Sequence, residues 1–412
     1  MLILFGIIIN FKFRFSAELT TFDGMMSSKI SYSVTLLFCF LLAACTGKKA
    51  EKKNVRTQSV ITSLPLFPKV DQRYIKEKRK VANQYYEEHL GGNRFNGMFL
   101  VAKNGQIISE KYSGYSDVAK GVKLSTNTPL HLASISKYAT ALATLRLMDQ
   151  KKLILDDDVR NYLPDFPYEG ISIRMLLNHR SGVPYYGYFT FETWPMGKML
   201  TNRDILLLLK KHKFPLNFKP DNHFAYCNTN YALLALIIEK VTGLRFPVAM
   251  KTLIFDPLHM KHSFIMDYTK SKDSVSQSYS SGMVRQAFDY LDDIYGDKNM
   301  YSTTRDLLKM DMGTYSSGFL SRTARKEMYK GYSYENAGKK NYGLGCRIVE
   351  IEGKDPYFFH SGWWHGNKGL YATLRADTVC LIALTNTNSQ CVYSINRLST
   401  KFGNYPFEFV DE

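Results

Sequence analysis

Ser134-Ile135-Ser136-Lys137, followed by the helix-like run Tyr138–Met148, is the stretch from which the rest of the chain can be ordered. A serine that opens a helix and a lysine three residues on share one face, one above the other. The serine hydroxyl then sits in the positive field of the helix N-terminus, beside an amine able to take its proton. The pair is a candidate nucleophile and base. Ordinary serine and lysine usage yields roughly one or two such S-x-x-K matches by chance in a chain of this size. A helix cap with a surface lysine is the alternative at this point.

The flanks say what kind of scaffold holds the pair. Upstream, a charged helix is expected from about Lys69 to Leu90, ending at Gly91-Gly92. Gly97–Lys103 and Gln106–Tyr112 then flank Asn104-Gly105, and Asn-Gly between apolar alternation signals a hairpin. Downstream, helical periodicity dominates to about residue 262, as in Asn230–Val241 with its stripe of Leu233, Leu234, Ile237 and Ile238. Gly182–Pro195 reads as an aromatic, turn-rich loop, and Thr269–Ser281 as an exposed low-complexity loop. From Tyr342 strands return: Tyr342–Glu350, Tyr357–His360, Gly369–Arg375 and Thr378–Asn386, before a final helix over Cys391–Phe402. Strands at both ends with helices between predict an α+β (α/β) fold. One antiparallel sheet is built from both chain ends and flanked by helices, with residues 134–300 an inserted, mostly helical region.

The N-terminus reads as an address. Lys29 precedes the apolar run Val34–Leu42 and the small residues Ala43 and Ala44, the pattern of a signal peptide too short to span as a helix. A signal complete from Met25 or Met26 predicts a start at one of them, with residues 1–44 removed. Leu42-Ala43-Ala44-Cys45 resembles the lipobox of bacterial lipoproteins, which makes Cys45 the lipidation site. A plain secretory signal or membrane anchor is the alternative. Residues 45–68 follow as a lysine-rich tether with few apolar residues, leaving 69–412 as the folded domain.

Cutting at Cys45 lowers the formal charge from +17 to +16, because residues 1–44 hold three Lys/Arg and two Asp/Glu. The remaining cations are scattered beyond the tether, and no nucleic-acid-binding module appears. Of six cysteines, Cys227, Cys346, Cys380 and Cys391 lie beyond the address segment without metal-type spacing, and no disulfide is predicted. There is no glycine-rich phosphate loop and no H-E-x-x-H helix, so neither cofactor nor metal is implied.

Two further boxes follow the serine–lysine pair in order: Tyr226-Cys227-Asn228 and His360-Ser361-Gly362. Together the three resemble the S-x-x-K, Y-x-N and K-T-G boxes of the serine β-lactamase and penicillin-binding-protein superfamily. The third box is in the H-x-G form of the class C-related, serine-esterase-like branch. Phe95–Gly105, Leu176–Gly182, Asp256-Pro257-Leu258 and Ser302–Leu307 resemble the same branch, and the likeness runs from about residue 80 to the C-terminus. It implies Ser134 as the acylated nucleophile, Lys137 and Tyr226 as proton carriers, and Asn228 as a grip on substrate or on Lys137. The oxyanion hole falls to the backbone N–H groups of Ser134 and Trp363, with His360 and Gly362 on the strand beside it.

Histidine in place of the third-box lysine weakens the case for a substrate carboxylate, since imidazole is mostly neutral at pH 7. Tyr185, Tyr186, Tyr188, Phe189, Phe191, Trp194, Trp363 and Trp364 either wall an apolar pocket or form the helical region's own core. Cys227 inside the second box points to a thiol-sensitive site, His365 to a loop position, and His179-Arg180 to a braced turn. The reading is a serine hydrolase of esters or amides, anchored in the bacterial cell envelope and acting on a small-molecule or peptide substrate. The rivals are a true β-lactamase or D-alanyl-D-alanine carboxypeptidase, and a non-catalytic penicillin-binding sensor.

Overall fold

A computed structural model describes residues 64–91, 95–195, 197–335, 338 and 340–407. The segment expected to be a signal peptide, Cys45, and the expected tether up to residue 63 lie outside the described residues. Helix α1 (Gln72–His89) starts where Asp71 accepts the N–H groups of Arg73 (2.8 Å) and Tyr74 (3.1 Å), a side-chain N-cap. Strands β1 (Gly97–Lys103) and β2 (Gln106–Ser113) form the expected hairpin. Its turn needs positive φ at both central residues, and Asn104 (51°) and Gly105 (72°) provide it.

Two short pairings follow. β3 (Tyr115–Asp117) pairs with β4 (Val122–Lys123), while β5 (Leu130–His131) and β6 (Phe264–Ile265) flank β7 (Met300–Ser302). The C-terminal third supplies β8 (Lys340–Tyr342), β9 (Arg347–Val349), β10 (Tyr357–Trp364), β11 (Asn367–Leu374) and β12 (Val379–Thr385). The main sheet has seven strands in the order β2-β1-β12-β11-β10-β9-β8, and its pairings are antiparallel. Gly97 faces Thr385 and Lys103 faces Val379, so the two ends of the chain meet in the middle of the sheet.

Both faces of this sheet are covered. Met98, Leu100, Ala102, Tyr371, Ile382 and Leu384 pack with the helical region. Phe99, Val101, Leu370, Ala372, Leu381 and Ala383 pack with α1 and the C-terminal segment carrying Val392, Ile395 and Leu398. Alternate residues therefore serve opposite cores, which is why β11 and β12 are buried throughout. The helical region includes α2 (Ser136–Asp149), α3 (Tyr186–Thr193), α4 (Asn202–His212) and α5 (Asn228–Thr242), with α6 (Thr304–Gly313) following β7.

The structure corrects several local expectations. Tyr186–Thr193 is helical, not loop. Thr269–Ser281 is partly buried, with Tyr279 bridging to Thr387 and its hydroxyl accepting from the Val118 N–H at 2.8 Å. Tyr342–Glu350 is two strands, broken at Gly345 (φ 84°), where an added Cβ would lie 2.3 Å from the Ala141 Cβ on α2. The C-terminal helix is 3₁₀ over Gln390–Lys401, not α.

Candidate active site

Ser134 lies just before α2, in the 3₁₀ turn Ala133–Ile135, one step outside the helix that the sequence suggested it opens. Ala133 is held at φ 48°, a conformation that costs a non-glycine residue energy and that its surroundings enforce. Its N–H donates to His131 Nδ1 at 3.0 Å, so His131 carries its proton on Nε2, which meets Asn299 Oδ1 at 3.0 Å. Burial keeps this imidazole neutral, with its pKa lowered to about 4. Ser136 is buried and accepts the Met300 N–H at 3.2 Å, while the Leu132 N–H reaches the Met300 carbonyl at 2.8 Å. The second serine thus ties the turn to β7, and the first faces a cavity.

Lys137 has no exposed surface, and its Nζ donates to Ser134 Oγ at 3.0 Å and to the Asp297 carbonyl at 2.8 Å. Among the described residues no carboxylate lies within ion-pair distance of it. Beyond those two acceptors, rings face its charge: Nζ is 5.0 Å from the Tyr226 centroid and 5.8 Å from that of Tyr231. The Asp297 side chain is itself fixed from behind. The Tyr186 hydroxyl donates to it at 2.6 Å, and the buried Lys298 stands 3.4 Å away.

Tyr226 packs on His179 with ring centroids 4.4 Å apart, and the Arg347 guanidinium lies 5.2 Å from its ring on another side. His179 holds the turn, as expected: at φ 60° its Nδ1 accepts from the Cys227 N–H at 3.1 Å. Burial and the nearby Lys137 push its pKa well below that of free histidine. Arg180 braces the same turn through Asp221 (2.6 Å) and Glu335 (2.9 Å). Asn228, the first residue of α5, has a buried Oδ1 with no hydrogen-bond partner among the described residues. The thiol sensitivity expected of Cys227 is not favoured by its surroundings: it is buried, burial raises its pKa, and its S–H donates to the Val183 carbonyl at 3.3 Å.

A cavity of about 450 Å³ runs along β10 and is lined by Ser134, Tyr226, Asn228, Gly362 and Trp363 among the expected residues. His360 is not on its wall. The ring is fully buried, with Nδ1–H donating to the Ser361 carbonyl at 2.7 Å and Nε2 accepting from the Tyr342 hydroxyl at 3.0 Å. Burial, Arg347 and Lys137 hold it neutral, well below the ordinary histidine pKa. Gly362 is where β10 presses on the nucleophile's turn, since an added Cβ would come within 2.4 Å of the Leu132 carbonyl oxygen. The aromatic set divides between both expectations. Tyr186 and Phe189 are core, Tyr188 and Phe191 are exposed, and Trp363 walls the cavity. His365, in the β10–β11 turn, bonds Asp292 at 2.9 Å.

Sequence reasoning missed Arg347, Lys368, Tyr393 and Asn396, which line the same cavity. Arg347 had one available signal, a cation between Cys346 and Ile348 in an apolar strand-like run.

Known proteins share this architecture. The Beta-lactamase family matches residues 82–398. Penicillin-binding protein 4* of Bacillus subtilis is 31% identical over 332 residues, covering 77% of this chain and 73% of the relative. Teichoic acid D-alanine hydrolase of Staphylococcus aureus is 30% identical over 228 residues, 54% of this chain and 55% of the relative, so the chain matches about half of that protein. Among solved structures, a penicillin-binding protein from Bacillus halodurans superposes with a TM-score of 0.68 at 22% identity, covering 81% of this chain and all of that one. The chain belongs to the Beta-lactamase family and is a serine hydrolase of that fold.

Proposed function

We propose that the protein cleaves esters or amides of D-amino acids in the bacterial cell envelope through an acyl-enzyme on Ser134. The observation that carries this reading is the 3.0 Å contact to Ser134 Oγ from a buried Lys137 Nζ that has no carboxylate partner among the described residues. In its neutral form the amine accepts the hydroxyl proton as Oγ bonds to the substrate carbonyl carbon. The carbonyl oxygen takes the negative charge and points at the backbone N–H groups of Ser134 and Trp363. The C–O or C–N bond then breaks, and the leaving group departs with a proton delivered from Lys137 or Tyr226. Water repeats the sequence on the acyl-enzyme and frees Ser134. Asn228 Oδ1, without a partner among the described residues, suits an N–H donor, such as the amine of an aminoacyl group.

The substrate class is supported by two relatives, one named a penicillin-binding protein and the other a teichoic acid D-alanine hydrolase. Both names also support an envelope location. Lipid on Cys45, with residues 45–68 linking it to the domain, is supported by the lipobox-like Leu42-Ala43-Ala44-Cys45 alone. Among the described residues no helix is long and apolar enough to cross a membrane. A Cys45→Ser variant should lose incorporated radiolabelled lipid, and retained label would leave the anchor elsewhere.

A fluorophosphonate probe tests the chemistry: it should label the protein, and Ser134→Ala should abolish labelling. Label on another serine would overturn the assignment. A second reading, cleavage of β-lactams or of peptides with a free C-terminus, has Arg347 in its favour, because a guanidinium in the cavity can grip a carboxylate. Nitrocefin turnover faster than that of D-alanyl esters would establish it.

A further inference from the structure

The cavity does not end at the nucleophile. β9 pairs with β10 only at Tyr357–Phe359, so the strand edge beyond it, Ser361–Trp363, borders the cavity. Phe359, Ser361 and Trp363 face the C-terminal segment, and cross-strand partners share a face, which puts Lys368, opposite Trp363, on that side too. Gln390, Tyr393 and Asn396 complete the far wall. They are spaced by three, and in a 3₁₀ helix that spacing stacks side chains on one face.

Lys368 is the unusual member. It is 8% exposed, and among the described residues its side chain has neither an ion pair nor a hydrogen bond; its Nζ lies 5.9 Å from the centroid of the Tyr393 ring. Burial lowers its pKa below that of free lysine. On the wall of the cavity and without a counter-charge among the described residues, this cation is placed to meet an anion that enters. Its surroundings are donors. Asn396, 4% exposed, accepts the Tyr357 hydroxyl on its Oδ1, which turns its NH₂ into the end left for a ligand. Ser361, two residues before Trp363 on β10, lines the same cavity as Lys368 and Ser134. The Tyr393 hydroxyl donates to the Gly362 carbonyl at 2.8 Å and pins the segment against β10.

We propose that the space between β10, Lys368 and the C-terminal 3₁₀ segment is an anion subsite, which holds a negatively charged group of the substrate, carboxylate or phosphodiester, remote from the bond cleaved at Ser134. The subsite rests on the hydrolase reading for its purpose, but its binding chemistry is independent. The ammonium supplies the charge, and the Asn396 amide and Ser361 hydroxyl supply directed donors. Selectivity then comes from a group on the opposite face of β10 from His360.

The test compares three D-alanyl esters, neutral, carboxylate-bearing and glycerol-phosphate-bearing, on the native chain, Lys368→Gln and Lys368→Glu. Lys368→Gln should raise KM and lower kcat/KM about tenfold or more on the anionic esters, while leaving the neutral ester within about twofold. Lys368→Glu should deepen the loss. The anionic ester that suffers more identifies the source of the charge. An equal fall on neutral and anionic esters, or none on either, overturns the proposal. Should no ester be turned over at all, the hydrolase reading fails by itself. Calorimetry with inorganic phosphate and with acetate then decides the subsite: binding by the native chain that Lys368→Gln removes supports it, and equal or absent binding sinks it.

Discussion

Ser134 and Ser136 stand two residues apart in one motif with opposite surroundings. Ser136 is 2% exposed and satisfies the Met300 N–H, so Ser136→Ala strands a buried donor. The expected cost is about 1–3 kcal/mol, read as a lower Tm, with fluorophosphonate labelling retained. Ser134→Ala should do the reverse, keeping Tm and losing label. Lys137→Met should slow ester turnover by roughly 10²–10⁴-fold, and a smaller effect would move the base elsewhere. The motif residues were legible because each box is local. Arg347 and Lys368 were not, because they reach the cavity through register: Arg347 lies opposite Phe359, and Lys368 opposite Trp363. Nothing near them in sequence encodes those pairings.

Elements were legible where a single period or turn rule applied. The β1–β2 hairpin and α5 match their expected spans within a few residues. Errors fell where tertiary contacts decide. The aromatic run in α3 has no clean apolar stripe, because Tyr186 and Phe189 point into the core while Tyr188 and Phe191 face solvent. The 3₁₀ form of Gln390–Lys401 is also contextual, since cavity and core each require their own spacing. Gly362 supplies a sharp test at this scale. Gly362→Ala puts a methyl into the Leu132 carbonyl, forcing β10 away from the Ser134 turn. Overpacking of this kind costs about 1–3 kcal/mol, and kcat should fall well beyond what the drop in Tm accounts for. Unchanged kcat would mean that the turn and β10 move together.

Across the molecule, three buried histidines on separate elements, His131, His179 and His360, are neutral in the folded state. Each has a folded pKa below the unfolded value near 6.5, so between those values the unfolded chain binds more protons. Stability is therefore full above about pH 6.5 and declines as pH falls towards about 4. His131 alone contributes on the order of 3 kcal/mol to that decline. Buried Asp311, raised to about 6, opposes it by binding its proton more readily when folded. The two further histidines tip the balance, so Tm should fall between pH 6.5 and 4 by scanning calorimetry. A flat or rising Tm would mean that one of these rings is charged in the native state.

The pairing of β1 with β12 joins residues nearly the whole domain apart, Gly97 with Thr385. Until β12 has left the ribosome, β1 and β2 have no central strand to complete. At a synthesis rate of roughly 5–20 residues per second, that wait lasts tens of seconds, during which Phe99, Val101 and Leu100 have no folded partner across the sheet. The main sheet of a nascent chain of this topology stays incomplete until the last third of the domain is made, and its apolar strands depend in that interval on whatever shields them.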